Sequence, residues 1–75
     1  MKDEYYKVIG SFFKLKRQEK GVSINDIAIV VNHGKIWYSD IETWKNRIFL
    51  KDAMLLCKYF NSSLSELQEY LEKNQ

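Results

Sequence analysis

Residues 23–42 read "SINDIAIVVNHGKIWYSDIE" and hold two helix-forming runs on either side of a turn signal. Ser23 is followed three residues later by Asp26, a weaker relative of the capping box that begins helices. Apolar residues then recur at helical spacing, at Ile27, Ala28 and Val31. Asn32 and Gly34 interrupt this pattern because both tolerate backbone angles that permit a tight turn. The segment therefore predicts two short helices, 24–31 and 35–43, joined by a turn.

The flanking sequence predicts three further helices. Asp3 can cap the free N–H groups of a first helix, which Gly21 ends by supplying a left-handed stop. Ser63 and Glu66 form a capping box for the last helix. The chain has no proline and three glycines. The further helices are predicted at 3–20, 49–60 and 64–73, which gives an all-α, compact five-helix bundle in one domain, 1–75.

Size and composition limit the class of protein. A chain of 75 residues with 45% hydrophobic residues forms one small folded domain. One cysteine, Cys57, cannot make an internal disulfide, and no cysteine–histidine cluster has the spacing of a zinc site. No apolar run approaches the roughly 20 residues of a membrane span, and the first residues lack the apolar core of a signal peptide. We expect a cytoplasmic protein without metal, cofactor or membrane partner.

The charge distribution says more than the net charge of +2. Residues 14–51 carry eight basic side chains against four acidic ones, whereas the sequence from Asp52 onward has a net negative charge. A basic middle and an acidic end suit a protein with one face toward a polyanion. Two ordinary solvated faces explain the same distribution equally well.

Two short helices around a turn, in a small helical domain with a basic middle, suggest a helix-turn-helix arrangement. The stretch "KLKRQEKGVSINDIAIVVNHGKIWYSDIETWKNR", residues 14–47, resembles the Xre family of phage repressor and Cro-type DNA-binding domains. The likeness extends without a gap from Ile9 to Leu67. It implies a lambda-repressor-like fold, double-stranded DNA as partner, and an ion pair between Arg17 and Glu42. A carboxylate on the inner side of the third helix needs such a bidentate partner if it is to lose water.

The third helix is the predicted recognition helix. At about 100° per residue, one side collects Tyr38, Ile41 and Glu42, which must face the core. The outward side includes the positions that resemble the family's base-reading sites, namely Lys35, Ile36, Ser39 and Asp40. Lysine can donate to guanine, isoleucine can pack on a thymine methyl, serine can contact either base, and aspartate can accept from cytosine. Ile36 and Asp40 can equally be plain surface, because phosphates repel a carboxylate.

Phosphate contacts are expected beside this helix. Ser23 begins the second helix and can offer its hydroxyl and the helix's free N–H groups to a phosphate. Lys45, Asn46 and Arg47 follow the third helix, where the family's loop meets the DNA backbone. We expect a homodimer on a palindromic site, with half-sites about one helical turn apart.

Several residues depart from the family and keep a second function open. Trp44 replaces the usual glycine after the third helix, Ile48 replaces the usual proline, and Phe49 replaces a small polar residue. These three residues either form a dimer contact or seal the loop over the core. Exposed apolar area tends to mark a partner site. The domain can thus also be a protein-interaction module, an antirepressor or adaptor that uses Ile24, Ile29, Val30, Trp37 and Trp44.

An enzyme fits the sequence poorly. The single histidine, His33, lies in the turn, and no glycine-rich phosphate loop or carboxylate pair stands out. We expect His33 to be a packed, hydrogen-bonded residue and Cys57 to be a small core side chain. The prediction is therefore a DNA-binding transcriptional regulator of phage, plasmid or mobile-element type, with no catalytic residues.

Overall fold

The computed structural model describes residues 2–74, with side chains from Tyr5 onward. Its five helices confirm the predicted all-α bundle, and residues 2–74 contain no strand. In chain order they are α1 (Lys2–Lys20), α2 (Ile24–Val31), α3 (Lys35–Glu42), α4 (Leu50–Tyr59) and α5 (Leu64–Lys73).

Helix ends differ from the predicted ranges by one residue at four places. α1 already includes Lys2, and α3 ends at Glu42 because Thr43 is its C-cap. α4 is shorter at both ends, since Phe49 and Phe60 are its N-cap and C-cap. Cap residues are only half inside a helix, and sequence patterns do not separate them from the first or last turn.

All five helices contribute to the core: α1 packs against α3 and α5, and α2 packs against α3 and α4. The largest fully buried side chains of the core are Phe12 and Phe13 of α1, Ile27 of α2, Tyr38 and Ile41 of α3, and Leu56 of α4. Leu67 of α5 completes the same cluster. Because Tyr38 and Ile41 belong to this core, the orientation of α3 is fixed, and its opposite face points toward solvent.

The turn between α2 and α3 is three residues long and gives the helix-turn-helix arrangement. Asn32 takes the left-handed conformation, with φ of 59°, and its N–H donates to Ile29 at 3.2 Å. The N–H of His33 donates to the carbonyl of Ala28 at 3.0 Å. Gly34 has an ordinary φ of −75° and is the N-cap of α3. Asn32, and not Gly34, therefore supplies the unusual backbone angle of this turn.

α1 and α3 approach each other closely at Gly10. A Cβ on Gly10 would overlap the carbonyl oxygen of Ile41 and lie 3.0 Å from Cδ1 of Trp44. Only glycine lets the backbone of α1 come this near to the end of α3. The C-terminal end of the predicted recognition helix is thus positioned directly by α1.

Within residues 2–74, none of the helices combines the length and the apolar character needed to cross a membrane.

Candidate nucleic-acid interface

The outward side of α3 contains all four predicted base-reading residues. Lys35 and Ile36 are exposed, Ile36 by 72%, and Ser39 and Asp40 are half-buried. The opposite side of α3 is buried, with Tyr38, Ile41 and Glu42 in the core. The structure therefore brings the four residues together on one accessible helical face.

None of these four side chains forms a hydrogen bond or ion pair with another described residue. The nearest such bond uses the main chain, because the hydroxyl of Thr43 donates to the carbonyl of Ser39 at 2.9 Å. A lysine, a serine and an aspartate are thus all free to bind an external polar group.

The loop after α3 is fixed to the helix end by one carbonyl. The main-chain carbonyl oxygen of Asp40 accepts a hydrogen bond from the N–H of Lys45 at 2.8 Å and another from the N–H of Asn46 at 3.2 Å. Trp44 adopts a left-handed φ of 72°, the conformation that suits the glycine of the resembling family. The exposed phosphate candidates Lys45, Asn46 and Arg47 are therefore held in a set relation to α3.

α1 supports this loop from the side. The guanidinium of Arg47 lies 4.8 Å from the ring centre of Tyr6, and the ammonium of Lys7 lies 5.5 Å from that of Trp44. Both distances are within the range of cation–π contacts. Asn46 accepts the N–H of Arg47 through its side-chain oxygen at 2.9 Å. Sequence reasoning missed Tyr6 and Lys7, because they lie outside the apolar stripe of α1 and far from the loop in sequence.

Ser23 caps α2, as its hydroxyl oxygen accepts the N–H of Asp26 at 3.1 Å. The Asp26 carboxylate accepts the N–H of Ser23 in return, also at 3.1 Å. The Ser23 hydroxyl hydrogen remains able to donate to a phosphate. The Asp26 carboxylate at the same terminus opposes an anion there, so Ser23 is a weaker anion site than an uncapped helix N-terminus would be.

Arg17 and Glu42 join α1 to the end of α3. Nε of Arg17 donates to Oε2 of Glu42 at 2.7 Å, and Nη2 donates to Oε1 at 3.1 Å. Nη1 donates to the carbonyl of Val22 at 3.2 Å. The Glu42 side chain is buried, and its hydrogen bond raises the pKa of Arg17. A charge at this depth is retained because its partner is bidentate.

The Tyr38 hydroxyl is buried and has no partner in hydrogen-bonding geometry among the described residues. Burial raises the pKa of Tyr38 well above its ordinary value, and the nearby Glu42 carboxylate raises it further. The phenol is therefore neutral at neutral pH.

His33 connects the turn to α4. Its Nε2 lies 3.3 Å from Oδ2 of Asp52, and its ring stacks on Trp37 at 3.9 Å between ring centres. This contact agrees with the expected packed, hydrogen-bonded histidine. Asp52 is buried, and its second oxygen has no partner among the described residues. The sequence signal for Asp52 is its place in the first turn of α4, where a carboxylate is favourable.

The predicted apolar partner surface is only partly exposed. Ile29 is 70% exposed and Trp44 is 51% exposed, whereas Ile24 and Trp37 pack against the core. Val30 is half-buried. Small domains need their apolar side chains for the core, which explains why Ile24 and Trp37 turn inward. The two predicted loop residues also separate, because Ile48 packs against the core and Phe49 is exposed.

The described residues contain no group of three histidine, cysteine or acidic side chains placed to hold a metal ion. Cys57 is buried in the core, and burial raises the pKa of its thiol. A thiol in that state is a poor nucleophile.

These features define an all-α helix-turn-helix domain with an accessible third helix and a basic loop after it. Among solved structures, the chain is similar to the crystal structure of the clp gene regulator ClgR from C. glutamicum, with a TM-score of 0.83. The match covers 93% of this chain and 90% of that one at 14% sequence identity, which establishes a shared fold. No family model matches the sequence. No curated protein matches it either.

Proposed function

We propose that this domain is a sequence-specific, double-stranded DNA-binding transcriptional regulator of the Xre type, from a phage, plasmid or mobile element. The observation that carries the proposal is the geometry around α3. Four unbonded side chains, Lys35, Ile36, Ser39 and Asp40, share its outward face, and its last carbonyls hold a loop with two basic residues.

The division of contacts follows from this geometry. α3 enters the major groove, where its outward side chains meet base edges. The loop at its C-terminal end then meets the phosphates through Lys45, Asn46 and Arg47, with Tyr6 holding the Arg47 guanidinium. Ser23 contributes from the start of α2. The similar fold of a protein described as a gene regulator supports this function.

Ile36 and Asp40 are the most informative of the base-reading candidates. Ile36 is exposed by 72%, and packing on a thymine methyl would bury this apolar side chain. Asp40 accepts from a cytosine amine, a contact that replaces lost water with a hydrogen bond. A preference for thymine and cytosine at adjacent operator positions follows.

Selection of random duplex DNA by the purified protein tests the proposal, since it reports whether a site exists, its bases and its symmetry. Asp40→Ala should relax the preference at one base position by about 1–3 kcal/mol. Arg47→Gln should weaken binding to all sequences and lower the log–log salt slope by about 0.9. Lys73→Gln, at the end of α5, is the matched charge control and should change neither quantity.

A protein-interaction module, an antirepressor or adaptor, is the second candidate. The exposure of Ile29 and Trp44 favours it. Phosphate binding weakens steeply with salt, whereas an apolar protein contact does not. No enriched sequence in the selection, and no duplex binding at low salt, would discard the regulator and favour the module.

The proposed regulator acts as a homodimer on a palindromic operator and stays in the cytoplasm with its DNA. Its activity would be controlled by protein concentration, by operator competition or by a second protein.

A further inference from the structure

α4 buries one face and leaves the other uncovered. The buried face consists of Asp52, Ala53, Leu56 and Cys57. The opposite face is an open groove of about 540 Å³, lined by Leu50, Lys51, Met54, Leu55 and Lys58. We call it the α4 face. All five of these side chains are exposed; three of them are apolar, two are basic and none is acidic.

The two lysines lie along the middle of the α4 face. Lys51 and Lys58 are seven residues apart, which places them nearly in line and about 10 Å apart along the helix axis. At about 100° per residue, Met54 and Leu55 project to opposite sides of this line. Residues 51–58, "KDAMLLCK", therefore present a charged line with apolar side chains on both sides.

The charge of this face is not balanced within the described part of the chain. Asp52, the adjacent acidic residue, is buried on the other face, where its Oδ2 lies 3.3 Å from Nε2 of His33. Neither Lys51 nor Lys58 forms a hydrogen bond or ion pair with another described residue. Met54, between them in the sequence, is 51% exposed. Exposed apolar area beside unpaired charges of one sign marks a site for a partner of the opposite sign.

We propose that the α4 face binds an amphipathic helix of a different protein, whose carboxylates pair with Lys51 and Lys58 and whose apolar side chains pack on both sides of them. The face is a stripe along one helix, and a second helix packs on such a stripe at about 8–10 Å between axes. The matching sequence pattern is E-x-x-L-L-x-x-E, which has the spacing of residues 51–58 with the charge reversed. The partner helix satisfies this pattern in either direction, because it reads the same from both ends.

Two other occupants fit this face less well. A second copy of the chain would place lysine opposite lysine, and like charges at an interface oppose association. Basic segments that bind anionic membranes carry about four to eight lysines or arginines, whereas the α4 face has two lysines. A helix that carries carboxylates is the occupant that pairs both charges while it buries the apolar side chains.

The position of the face gives the partner a regulatory effect, and this step rests on the proposed function. Lys51 follows Arg47 by four residues, so their Cα atoms are at most about 14 Å apart. Carboxylates bound at Lys51 lie near the phosphates that the 45–47 loop is proposed to contact, and the two sets of negative charges repel each other. Coupling between two sites is reciprocal, so the partner weakens DNA binding and DNA weakens partner binding. The occupant of the α4 face is therefore an acidic antagonist of the regulator.

Titration of a synthetic peptide tests the proposal without DNA. The peptide is a fluorescently labelled chain of about 15 residues, long enough for a helix, with two overlapping E-x-x-L-L-x-x-E repeats and alanine or glutamine at each x. By fluorescence anisotropy we expect a Kd of the order of 100 µM, several-fold weaker at high salt because salt screens the ion pairs. A peptide of the same composition in scrambled order, and one with lysine in place of glutamate, should each bind at least tenfold more weakly.

Charge reversal on the α4 face provides the decisive variant. Lys51→Glu combined with Lys58→Glu should weaken binding of the acidic peptide at least tenfold, and this variant should bind the lysine peptide instead. Lys14→Glu combined with Lys73→Glu makes the same change of charge at two exposed residues outside the face and should leave both affinities unchanged. Thermal melting followed by circular dichroism checks that each variant is folded.

Saturable binding of the acidic peptide that the face variant loses supports the proposal. Absence of binding to the folded parent at millimolar peptide, equal binding of the scrambled peptide, or unchanged binding by the face variant overturns it. The face would then belong to an anionic membrane or to a second copy, which binding to phosphatidylserine vesicles and sedimentation equilibrium distinguish.

DNA binding separates this inference from the proposed function. On a duplex found by selection, saturating acidic peptide should lower the affinity of the parent several-fold, and the scrambled peptide should not. Peptide binding with unchanged DNA affinity overturns the antagonism and leaves both the docking site and the regulator standing. Absence of DNA binding by the parent overturns the regulator, and the peptide titration still decides whether the α4 face is a docking site.

Discussion

Replacing Gly10 by alanine tests the closest approach in the fold. The new Cβ would overlap the carbonyl oxygen of Ile41 and press on Trp44, whose backbone is already left-handed. Main-chain atoms give way less readily than side chains, so α1 and α3 must move apart. Overpacking of this kind costs about 1–3 kcal/mol.

The helix itself favours the change, because alanine is about 1 kcal/mol better than glycine inside a helix. With a backbone obstacle the overpacking cost lies near its upper end, so the net loss is about 1–2 kcal/mol. For a domain of this size the melting temperature should fall by about 5–15 °C. Without the close approach, the same substitution would raise it.

Thermal and urea unfolding of the Gly10→Ala variant measure this loss. Gly34→Ala is the control, because a Cβ at Gly34 meets no atom within 4 Å and its φ is ordinary. Alanine there loses some N-cap preference and reduces the freedom of the unfolded chain, so stability should stay within about 1 kcal/mol. A Gly10→Ala protein as stable as the parent, or more stable, would refute the assigned contact between α1 and α3.

Three further changes test buried polar groups. Arg17→Met should destabilise the fold by about 3 kcal/mol because it leaves the Glu42 carboxylate buried without a partner, and adding Glu42→Met should recover most of the loss in urea unfolding. Tyr38→Phe should be neutral or stabilising at pH 7, since the hydroxyl has no partner. The pKa of Tyr38 is raised in the folded state, so above about pH 10 the unfolded chain ionises this phenol first and the parent loses stability. Between about pH 9 and 11 the melting temperature should therefore fall less for the variant than for the parent. His33→Ala should lower the free energy of unfolding by about 2–4 kcal/mol, because it unpairs Asp52 and removes the ring that stacks on Trp37. A double-mutant cycle with Asp52→Ala should show coupling between the two residues, and additive effects would contradict the contact.

The helices could be predicted because their signals are local. Ser23 and Ser63 each accept the N–H of the third residue that follows, Asp26 or Glu66, as the sequence indicates. The reciprocal box is complete only at Ser23 and Asp26, because the Glu66 carboxylate accepts from Lys16 and Ser62 instead of from the N–H of Ser63. Asn32 stops α2 through its own backbone conformation. Each of these signals is read from a few neighbouring residues, which is why element bounds were predicted to within one residue.

Contacts between distant segments could not be predicted in the same way. Tyr6 lies under Arg47 only because α1 and the loop share the end of α3. Asp52 is buried because α4 packs against the turn that carries His33, and no pattern within α4 announces this partner. The pairing of Arg17 with Glu42 was available only through the family resemblance. Packing, rather than residue type, decides which of many charged side chains meet.

The four outward side chains of α3 that are proposed to contact bases contribute no side-chain hydrogen bond or ion pair to the fold. Lys35, Ile36, Ser39 and Asp40 bond to no other described side chain, and the loop is held through the main-chain carbonyl of Asp40, which any residue type would supply. Changing these four residues should therefore alter the preferred sequence with little effect on stability. If the domain binds DNA as proposed, a lineage of such proteins can acquire new operators by single substitutions while the fold is preserved, and a library randomised at the four positions would remain largely folded.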